Sequence, residues 1–497
     1  MKVLLIYPEY PSETFWGFKH ALKFVRKRAG FPPLGLLTVA SMMPDDWEIK
    51  LIDMNVKKLC EEDIKWADYV FISAMITQKD SARAVIAQCN WLDVKVVAGG
   101  PLFTTGHEEF SGVDHFVLGE VEEIFQQFVK DMQNGCAKRI YSSEKRPEIT
   151  STPVPMWKLV NAKHYGSMPL QISRGCPFNC EFCDIVIMNG RVPRLKLPKQ
   201  VIAELDAIYE TGFRGAVFIV DDNFIGNKNK VKPMLLEIAE WQEKKGFPFT
   251  FTTEASIDLA LDEVLMQLMA CAGFNKVFVG LETPSAEGLA ECGKRQNSAC
   301  DMVASVKKIQ NCGLEVMGGF IVGFDSDTPS IFADQIKFIQ ETGVMVAMVG
   351  VLNALPKTKL WLRLKEAGRL LSTATSGNNT DASFNFVPKM PREKLIAGYK
   401  EIVQAIYSPN NYYKRLCAFL REYRPAKIRR KVRFADVMAF LNSVWYLGLL
   451  SDWQTKKYYW KAIFKTLFKH RRAFPEVVIA LIYGHHFRRV AKAITKS

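Results

Sequence analysis

The chain of 497 residues is predicted to be an α/β protein with two parallel sheets and a helical C-terminal region. Apolar runs rich in Val and Ile alternate with amphipathic stretches over the first 150 residues, and six further runs follow by residue 351. Such runs are typical of strands buried on both faces of a parallel sheet that helices cover. After residue 400 the apolar residues recur at helical spacing among many Lys and Arg. These patterns predict domains at 1–150, 151–400 and 401–497.

The first domain is predicted to be a doubly wound (Rossmann-like) sheet. Its candidate strands are 3–7, 47–53, 69–73, 95–98 and 115–118. Ligands of such sheets bind outside the carboxyl ends of the strands. Glycine turns follow the fourth and fifth candidate strands, and they contain Gly99, Gly100, Pro101, Thr104, Gly119 and Glu120. Glycines allow a bulky ligand to approach the backbone closely, and threonine adds a hydroxyl. Plain tight turns show the same residues, so the turns alone leave ligand binding open.

The second domain is predicted to be a partial (β/α)6 barrel. Its strands begin near Leu170 and continue at 216–220, 250–253, 276–280, 316–322 and 346–351, each followed by a helical stretch. Chemistry in barrels collects at the carboxyl ends of the strands. Polar residues lie there or shortly after, and they include Asp222, Asn223, Glu254, Glu282 and Arg295. A single acidic residue at such a position is as often a strand cap or a surface ion pair, but residues at successive strand ends predict a shared ligand.

Three cysteines at CxxxCxxC spacing, Cys176, Cys180 and Cys183, lie on one short predicted loop after the first barrel strand. This spacing lets three thiolates bind three irons of a cubane cluster, whose complete protein cages use four cysteines. The fourth iron then stays open to a reagent. Zinc is the main alternative, but it takes four tetrahedral ligands, usually in two separated pairs, and no fourth Cys or His lies nearby in the sequence.

With the aromatic Phe182 before its last cysteine, this motif resembles the signature of radical S-adenosylmethionine (SAM) enzymes. The resemblance implies a [4Fe–4S] cluster on the three cysteines, with SAM chelated to the open iron and cleaved reductively to a radical. It also implies that the polar strand-end residues form a cradle for SAM. In that cradle Glu282 meets the ribose, Asp222 and Asn223 meet the amino group or ribose, and Arg295 meets the carboxylate through its bidentate fork.

Residues 1–150 resemble the cobalamin-binding module of cobalamin-dependent radical SAM enzymes. In that module the GGPxxT and GE turns hold the nucleotide tail and the ring edge, which implies that both glycine turns contact cobalamin. The DxHxxG motif of corrinoid domains is absent, and His20, His107 and His115 lack its context. The resemblance therefore implies cobalamin bound without a lower histidine supplied by that motif.

The segments 323–328 and 352–361 and the tail around 458–460 and 482–487 resemble a subgroup that includes hopanoid C-2 methylases. The subgroup often has glycine where this chain has Lys357. This likeness implies methylation of an unactivated carbon of a polycyclic or isoprenoid lipid, with cobalamin as the methyl carrier and no obligatory acid–base residue. Two alternatives stay open, namely a radical SAM enzyme that joins or rearranges lipid carbons without methyl transfer, and a non-catalytic sensor that binds nucleic acid.

The basic surplus is confined to the tail. Residues 411–497 hold 20 Lys and Arg against 4 Asp and Glu, whereas the rest of the chain holds 46 against 48. Aromatic residues interleave with the cations at 456–472, which suits a helix at an anionic membrane surface. The run 474–483 is too short to span a bilayer and is a second candidate for that interface. Nucleic-acid binding and an ordinary solvated helix face are the alternatives, and nucleic acid is the less favoured.

The remaining eight cysteines show no pairing pattern, and no secretory signal or membrane-spanning run is evident. These features predict a reducing, cytoplasmic location with peripheral contact at the inner membrane surface. The expected partners are a lipid substrate and an electron donor of the flavodoxin or ferredoxin type.

Overall fold

The computed structural model describes residues 1–371, 375–378, 380, 383–426 and 432–496. It confirms the predicted α/β class, because two six-stranded parallel sheets precede a helical C-terminal region. Lys427, Arg429, Arg430 and Lys431 of the basic tail lie outside the described residues.

The N-terminal sheet is doubly wound, as predicted. Its strands are β1 (Lys2–Tyr7), β2 (Glu48–Asp53), β3 (Tyr69–Ser73), β4 (Lys95–Gly99), β5 (His115–Leu118) and β6 (Ile140–Ser142). They lie in the order β2-β1-β3-β4-β5-β6, so the topological switch point falls between β1 and β3. The helices of this domain are α1 (Lys19–Leu22), α2 (Leu34–Ala40), α3 (Glu61–Lys65), α4 (Lys79–Trp91), α5 (Pro101–Gly106) and α6 (Phe125–Gln133). The sequence did not predict β6, because a three-residue strand with one buried side chain gives no apolar run.

The second sheet is the predicted half-barrel, and its six principal strands are confirmed. The strands of this domain are β7 (Ser167–Leu170), β8 (Ser173–Arg174), β9 (Arg194–Leu195), β10 (Gly215–Ile219), β11 (Phe249–Glu254), β12 (Phe274–Glu282), β13 (Glu315–Val322) and β14 (Ala347–Val351). The order β14-β13-β12-β11-β10-β7 leaves β8 and β9 as a separate antiparallel ribbon. The helices are α7 (Ile185–Met188), α8 (Pro198–Glu210), α9 (Lys228–Lys245), α10 (Glu263–Cys271), α11 (Ala286–Glu291), α12 (Arg295–Ser298), α13 (Met302–Asn311), α14 (Ile331–Thr342) and α15 (Lys359–Glu366).

The C-terminal region consists of α16 (Arg392–Tyr407), α17 (Pro409–Glu422), α18 (Phe434–Ser443), α19 (Trp453–Lys469) and α20 (Phe474–Lys496), with a π-helical turn at Val444–Leu449 after α18. Helices α16 and α17 pack on α14, and α20 packs on α16. The ring of Phe487 stacks on that of Tyr407 at 5.3 Å between centroids. In the described ranges no helix combines the length and the apolar composition needed to cross a membrane.

The structure corrects the prediction for the run 474–483. Val477, Val478, Ala480 and Ile482 are buried within the protein, because this part of α20 packs against α16 and α19. On α19, Tyr459, Ala462 and Ile463 are buried as well, whereas Phe464, Leu467 and Phe468 are exposed. The apolar face of α20 and part of that of α19 are therefore used for folding.

Candidate functional site

The loop at 175–193, here called the cysteine loop, is fixed between the ribbon strands β8 and β9. The Cys176 backbone N–H donates to the carbonyl of Gly190 at 3.1 Å. Gly175 has a φ of +102°, and a Cβ on it would lie 2.9 Å from the carbonyl oxygen of Val192. Only glycine fits both conditions without strain, so the residue before the first cysteine fixes the path of the loop.

The three motif thiols are free and partly exposed. Burial raises the pKa of the Cys176 and Cys183 thiols, and the neighbouring Cys180 raises both further. Cys180 therefore lies close enough to both other thiols to influence them. In the described part of the chain, no three His, Cys, Asp or Glu side chains are arranged to hold a single metal ion. A cubane binds each thiolate at a different iron, so its ligands do not need to converge on one point.

Two carboxylates after β10 hold the cysteine loop. The Asp222 carboxylate accepts from the backbone N–H of Gly175 at 2.7 Å and from Asn189 Nδ2 at 2.9 Å. Asp221 accepts from the Ile172 N–H at 2.7 Å and the Ser173 hydroxyl at 2.6 Å, and burial raises its pKa to about 7. Asp222 thus holds the cysteine loop in place, and its predicted cofactor contact stays a prediction.

Asn223 lies between the cysteine loop and β11. Its Nδ2 is 4.0 Å from the Cys176 sulfur and donates to the Ser256 hydroxyl at 3.1 Å. Glu254, at the end of β11, faces the same space. Its carboxylate has no hydrogen bond or ion pair with any residue that the structure describes, and burial with the nearby Asp222 and Asp221 raises its pKa to about 8. An unpartnered carboxylate here is available to a ligand that carries donors or positive charge.

The fourth strand ends in an ion pair close to the thiols. Glu282, with a φ of +61°, pairs with Lys294 Nζ. Burial by itself would lower the pKa of Lys294, but Glu282 and the thiols Cys180 and Cys183 raise it above its ordinary value. The Lys294 ammonium also lies 5.9 Å from the centre of the Phe182 ring. The Lys294 ammonium thus places a fixed positive charge beside the sulfurs of the cysteine loop.

Arg295 lies apart from this group. It begins α12 and is exposed to solvent, whereas its neighbour Lys294 points to Glu282. Its predicted contact with the SAM carboxylate stays a prediction. From sequence, the bidentate fork of arginine favoured Arg295, and the direction of each side chain was not encoded in any local pattern.

The concave face of the half-barrel carries aromatic side chains on two of its strands. Phe218 on β10 and Phe278 on β12 point into it and are only partly buried. The Trp16 ring stacks on Phe218 at 6.2 Å and lies 5.3 Å from Phe278. Trp16 precedes α1, so the N-terminal domain contributes to this group of three rings, here called the aromatic wall. The wall could not be predicted from the sequence, since an aromatic strand residue looks the same on either face of a buried sheet.

The two predicted glycine turns meet through Thr104. Its hydroxyl donates to the carbonyl of Gly100 at 2.9 Å and accepts from the N–H of Gly119 at 3.0 Å. Gly100 and Gly119 have φ values of +85° and +79°, and Pro101 begins α5. A Cβ at Gly99 would lie 2.8 Å from the Val117 carbonyl, but one at Gly119 would have no atom within 4 Å. The surface beside Gly119 is therefore open.

Glu120 has a different environment from the one predicted. Its carboxylate pairs with Arg174 Nη1 at 2.9 Å and with Arg194 Nη2 at 2.6 Å. The other terminal nitrogen of Arg174, Nη2, pairs with the Glu122 carboxylate at 2.7 Å. Thr152 donates to Glu122 at 2.7 Å. These buried side chains, here called the arginine bridge, join the second glycine turn to the ribbon that carries the cysteine loop. The sequence analysis missed Arg174, although it lies two residues before Cys176.

The three histidines that lack a corrinoid motif have other partners. His115 begins β5 at its amino end, and its Nδ1 is 2.8 Å from the Lys138 carbonyl. His107 follows α5 next to Glu108, and His20 pairs with Glu13 at 3.2 Å. Lys357, where the resembling subgroup often has glycine, has a φ of +68°, a conformation that glycine adopts more easily.

Comparison with known proteins agrees with this geometry. Family models match residues 28–129 (B12 binding domain), 170–339 (radical SAM superfamily) and 358–497 (domain of unknown function, DUF4070). The division at 150 and 400 stays a prediction. An uncharacterized methyltransferase of Synechocystis is 39% identical, covering 98% of this chain and 91% of that protein. The hopanoid C-2 methylase of Rhodopseudomonas palustris is 31% identical, covering 98% and 92%.

Solved structures share the fold. The radical SAM methyltransferase TsrM from Kitasatospora setae, with tryptophan substrate and a SAM analogue bound, has a TM-score of 0.64 and 16% identity, covering 95% of this chain and 99% of that chain. The cobalamin-dependent radical SAM enzyme OxsB, with aqua-cobalamin bound, has a TM-score of 0.62 and 14% identity, covering 100% and 80%.

The residues present fit the cofactors of such enzymes. The cysteine loop offers three free thiols next to a buried cation. The unpartnered Glu254 faces the same space, and the open surface at Gly119 gives a large ring room to approach the backbone. The chain belongs to the cobalamin-dependent radical SAM methyltransferases, which use a [4Fe–4S] cluster, SAM and cobalamin.

Proposed function

We propose that this enzyme methylates an unactivated carbon of a polycyclic isoprenoid lipid of the hopanoid type. The observation that carries the proposal is the likeness to a hopanoid C-2 methylase, which extends over 98% of this chain and so includes the C-terminal region. The aromatic side chains on the concave face support it independently. A substrate without charged groups would gain binding free energy by burying its surface against Phe218, Phe278 and Trp16.

Cys176, Cys180 and Cys183 would hold the cluster. Lys294 would offset the negative charge of the thiolates, and Asp222 would keep the loop in place through Gly175 and Asn189. The Glu254 carboxylate would bind the positively charged part of SAM. The positive charge would in turn lower the raised pKa of Glu254 toward its ordinary range. Asn223, Glu282, Phe182 and Arg295 remain further candidates for SAM contacts.

Gly99, Gly100, Pro101, Thr104 and Gly119 would form the cobalamin surface. The Thr104 hydroxyl keeps the two turns at a fixed spacing. The side chain of Glu120 is engaged by arginines, so its contribution would come from its backbone. When bound, the cluster with SAM supplies a radical that removes a hydrogen atom from carbon, and cobalamin supplies the methyl group.

The other residues would orient the substrate and exclude water. An unactivated C–H carbon is neither acidic nor nucleophilic, so an acid–base side chain has no proton to move in the hydrogen-abstraction step. The aromatic wall would set which carbon faces the cysteine loop. We further propose that a flavodoxin or ferredoxin supplies the electron for the cluster. Carbon–carbon bond formation without methyl transfer is not favoured, because two relatives that match almost the whole chain are a methyltransferase and a methylase.

The test is a reaction of anaerobically reconstituted enzyme with a pentacyclic hopanoid, methyl-deuterated SAM and a reductant. We expect a product that carries the deuterated methyl group, and we expect a variant with Phe218→Ala and Phe278→Ala to consume SAM but to form much less product. SAM consumption without any labelled hopanoid, in enzyme loaded with cluster and cobalamin, would reject hopanoids as the substrate class.

A further inference from the structure

An unusual apolar surface lies on α18 and the π-helical turn after it. Of the 26 large hydrophobic side chains that are exposed in the described residues, nine lie within residues 432–453. Phe434, Leu450 and Trp453 are 80%, 60% and 77% exposed. Exposed apolar residues are normally scattered singly, so a group of this density in a soluble domain indicates an interaction surface.

The exposed residues follow one face of the helix. Phe434, Val437, Leu441 and Trp445 are spaced by three or four residues, which places them on one side of α18, and Leu449 continues the series through the π-helical turn. On the side toward the protein, Ala439, Phe440 and Val444 are partly buried and pack against a cluster that includes Leu447, Phe24, Tyr459 and Ile482. The helix therefore has two apolar faces, and the fold covers only one of them.

Basic residues from the N-terminal domain border this surface. The 3₁₀ turn Lys23–Val25 packs against α18, and Asn442 Nδ2 donates to the Phe24 carbonyl at 2.8 Å. The Lys23 ammonium lies 4.7 Å from the centre of the Tyr446 ring, and Lys23, Arg26 and Arg28 are exposed. Residues 19–28 contain five Lys or Arg and no acidic residue.

We propose that this surface, formed by the apolar face at 434–453 and the basic edge at 19–28, docks the enzyme on an anionic lipid bilayer. Aromatic and aliphatic side chains beside Lys and Arg fit the boundary between acyl chains and negative headgroups, and each cation near such a surface contributes to binding. Tryptophan is well suited to this boundary, and Trp445 and Trp453 are both largely exposed.

One segment of the chain connects this surface to the concave face. Phe24 contacts Tyr446 at 5.4 Å between ring centres, and Trp16, on the same segment, stacks on Phe218. The Arg433 guanidinium, at the start of α18, donates to the carbonyl of Arg214 directly before β10. The surface thus borders the amino end of β10. Docking goes beyond the proposed methylation and does not depend on it, since a bilayer without hopanoid presents the same headgroups.

The test is flotation of the full-length holoenzyme with vesicles that lack hopanoid, either phosphatidylcholine alone or phosphatidylcholine with phosphatidylglycerol. We expect binding to the phosphatidylglycerol vesicles, reduced about ten-fold or more by Trp445→Ser with Trp453→Ser, because each tryptophan would bury a large apolar area. Trp91→Ser is the matched control, since Trp91 is 72% exposed on α4, away from the surface. It should bind as the wild type does.

A charge variant separates the two parts of the surface. Lys23→Glu with Arg26→Glu should remove most of the preference for phosphatidylglycerol, whereas Lys337→Glu, at an exposed lysine on α14, should leave it intact. SAM consumption in solution should be unchanged in all variants, which shows that they fold. Equal vesicle affinity of the double-tryptophan variant and the wild type would overturn the proposal. So would a solution dimer that the tryptophan changes dissociate, with no vesicle binding by the wild type.

Discussion

Cys183 is the last of three free thiols on the cysteine loop, and its replacement tests whether the loop holds a cluster. We expect Cys183→Ala to lose most of the bound iron and sulfide and to lose SAM consumption, because two thiolates cannot retain a cubane with an open iron. Cys300→Ala removes a free, partly exposed cysteine outside the loop and should retain both. Full iron content in Cys183→Ala would contradict the proposed ligand set.

Gly119 provides a test of the cobalamin surface. Its φ is +79° and no atom surrounds a Cβ built on it, as is also true of Gly135, whose φ is +70°. Alanine at either position should therefore cost a similar backbone strain of about 1 kcal/mol in the free energy of unfolding. We expect only Gly119→Ala to reduce cobalamin content, measured by absorbance after reconstitution. Equal cobalamin content in both variants would mean that cobalamin does not approach Gly119.

Single residues show where sequence reasoning succeeded and where it failed. The cysteine motif and both glycine turns were found because short-range spacing encodes them. The different environments of Arg295 and Lys294 were not predicted, since adjacent side chains on a turn take different directions that depend on tertiary packing. The predicted ligand contact of Glu120 stays a prediction, and its pairing with Arg174 and Arg194 from a distant segment could not be read from a local pattern.

At the scale of elements, the arginine bridge links the glycine turn after β5 to the ribbon of β8 and β9. Arg174→Ala would leave the carboxylates of Glu120 and Glu122 without one of their partners in a buried setting. Removing one partner of a buried ion pair typically costs about 3 kcal/mol or more in the free energy of unfolding. The measurement is urea unfolding, with Arg83→Ala as control, because Arg83 forms an exposed pair with Glu109 that should contribute less than about 1 kcal/mol. Similar losses in the two variants would contradict this role.

Helix α20 places His486 in the interior, where it contacts Phe18 and Phe487. Burial lowers its pKa from 6.5 to about 4. Below its ordinary pKa the unfolded chain binds a proton that the folded chain does not, so the free energy of unfolding falls as the pH drops from about 6.5 toward 4. We expect His486→Gln to remove about 2 kcal/mol of that loss between about pH 7.5 and about pH 5.

The measurement for α20 is the free energy of unfolding by urea at both pH values. The change in the free energy of unfolding with pH is compared between the variant and the wild type. The difference isolates the contribution of His486 from that of other titrating groups, such as Asp327, whose pKa is raised by burial. Parallel pH profiles for the two proteins would show that His486 titrates as an ordinary histidine.

For the whole molecule, periodicity in the sequence was enough to predict both sheets, because parallel strands buried on two faces form long apolar runs. Ten of the twelve principal strands, such as β10 and β13, were clear from such runs alone. For β7 the prediction gave only a start near Leu170, where the strand in fact ends, and β6 was too short to detect. The role of the C-terminal helices was harder to predict. Their amphipathic pattern indicated an apolar face, but only the fold reveals that α20 buries its apolar face, that α19 buries only part of its own, and that α18 leaves a second face exposed.

The most direct test of the central claim is lipid mass spectrometry on a hopanoid-producing host that lacks its own methylase. The host would express either this chain or its Cys183→Ala variant. We expect a new hopanoid heavier by one CH₂ in the host with the wild-type chain and no such lipid in the host with the variant. An unchanged lipid profile, with cluster and cobalamin verified in the expressed protein, would contradict it.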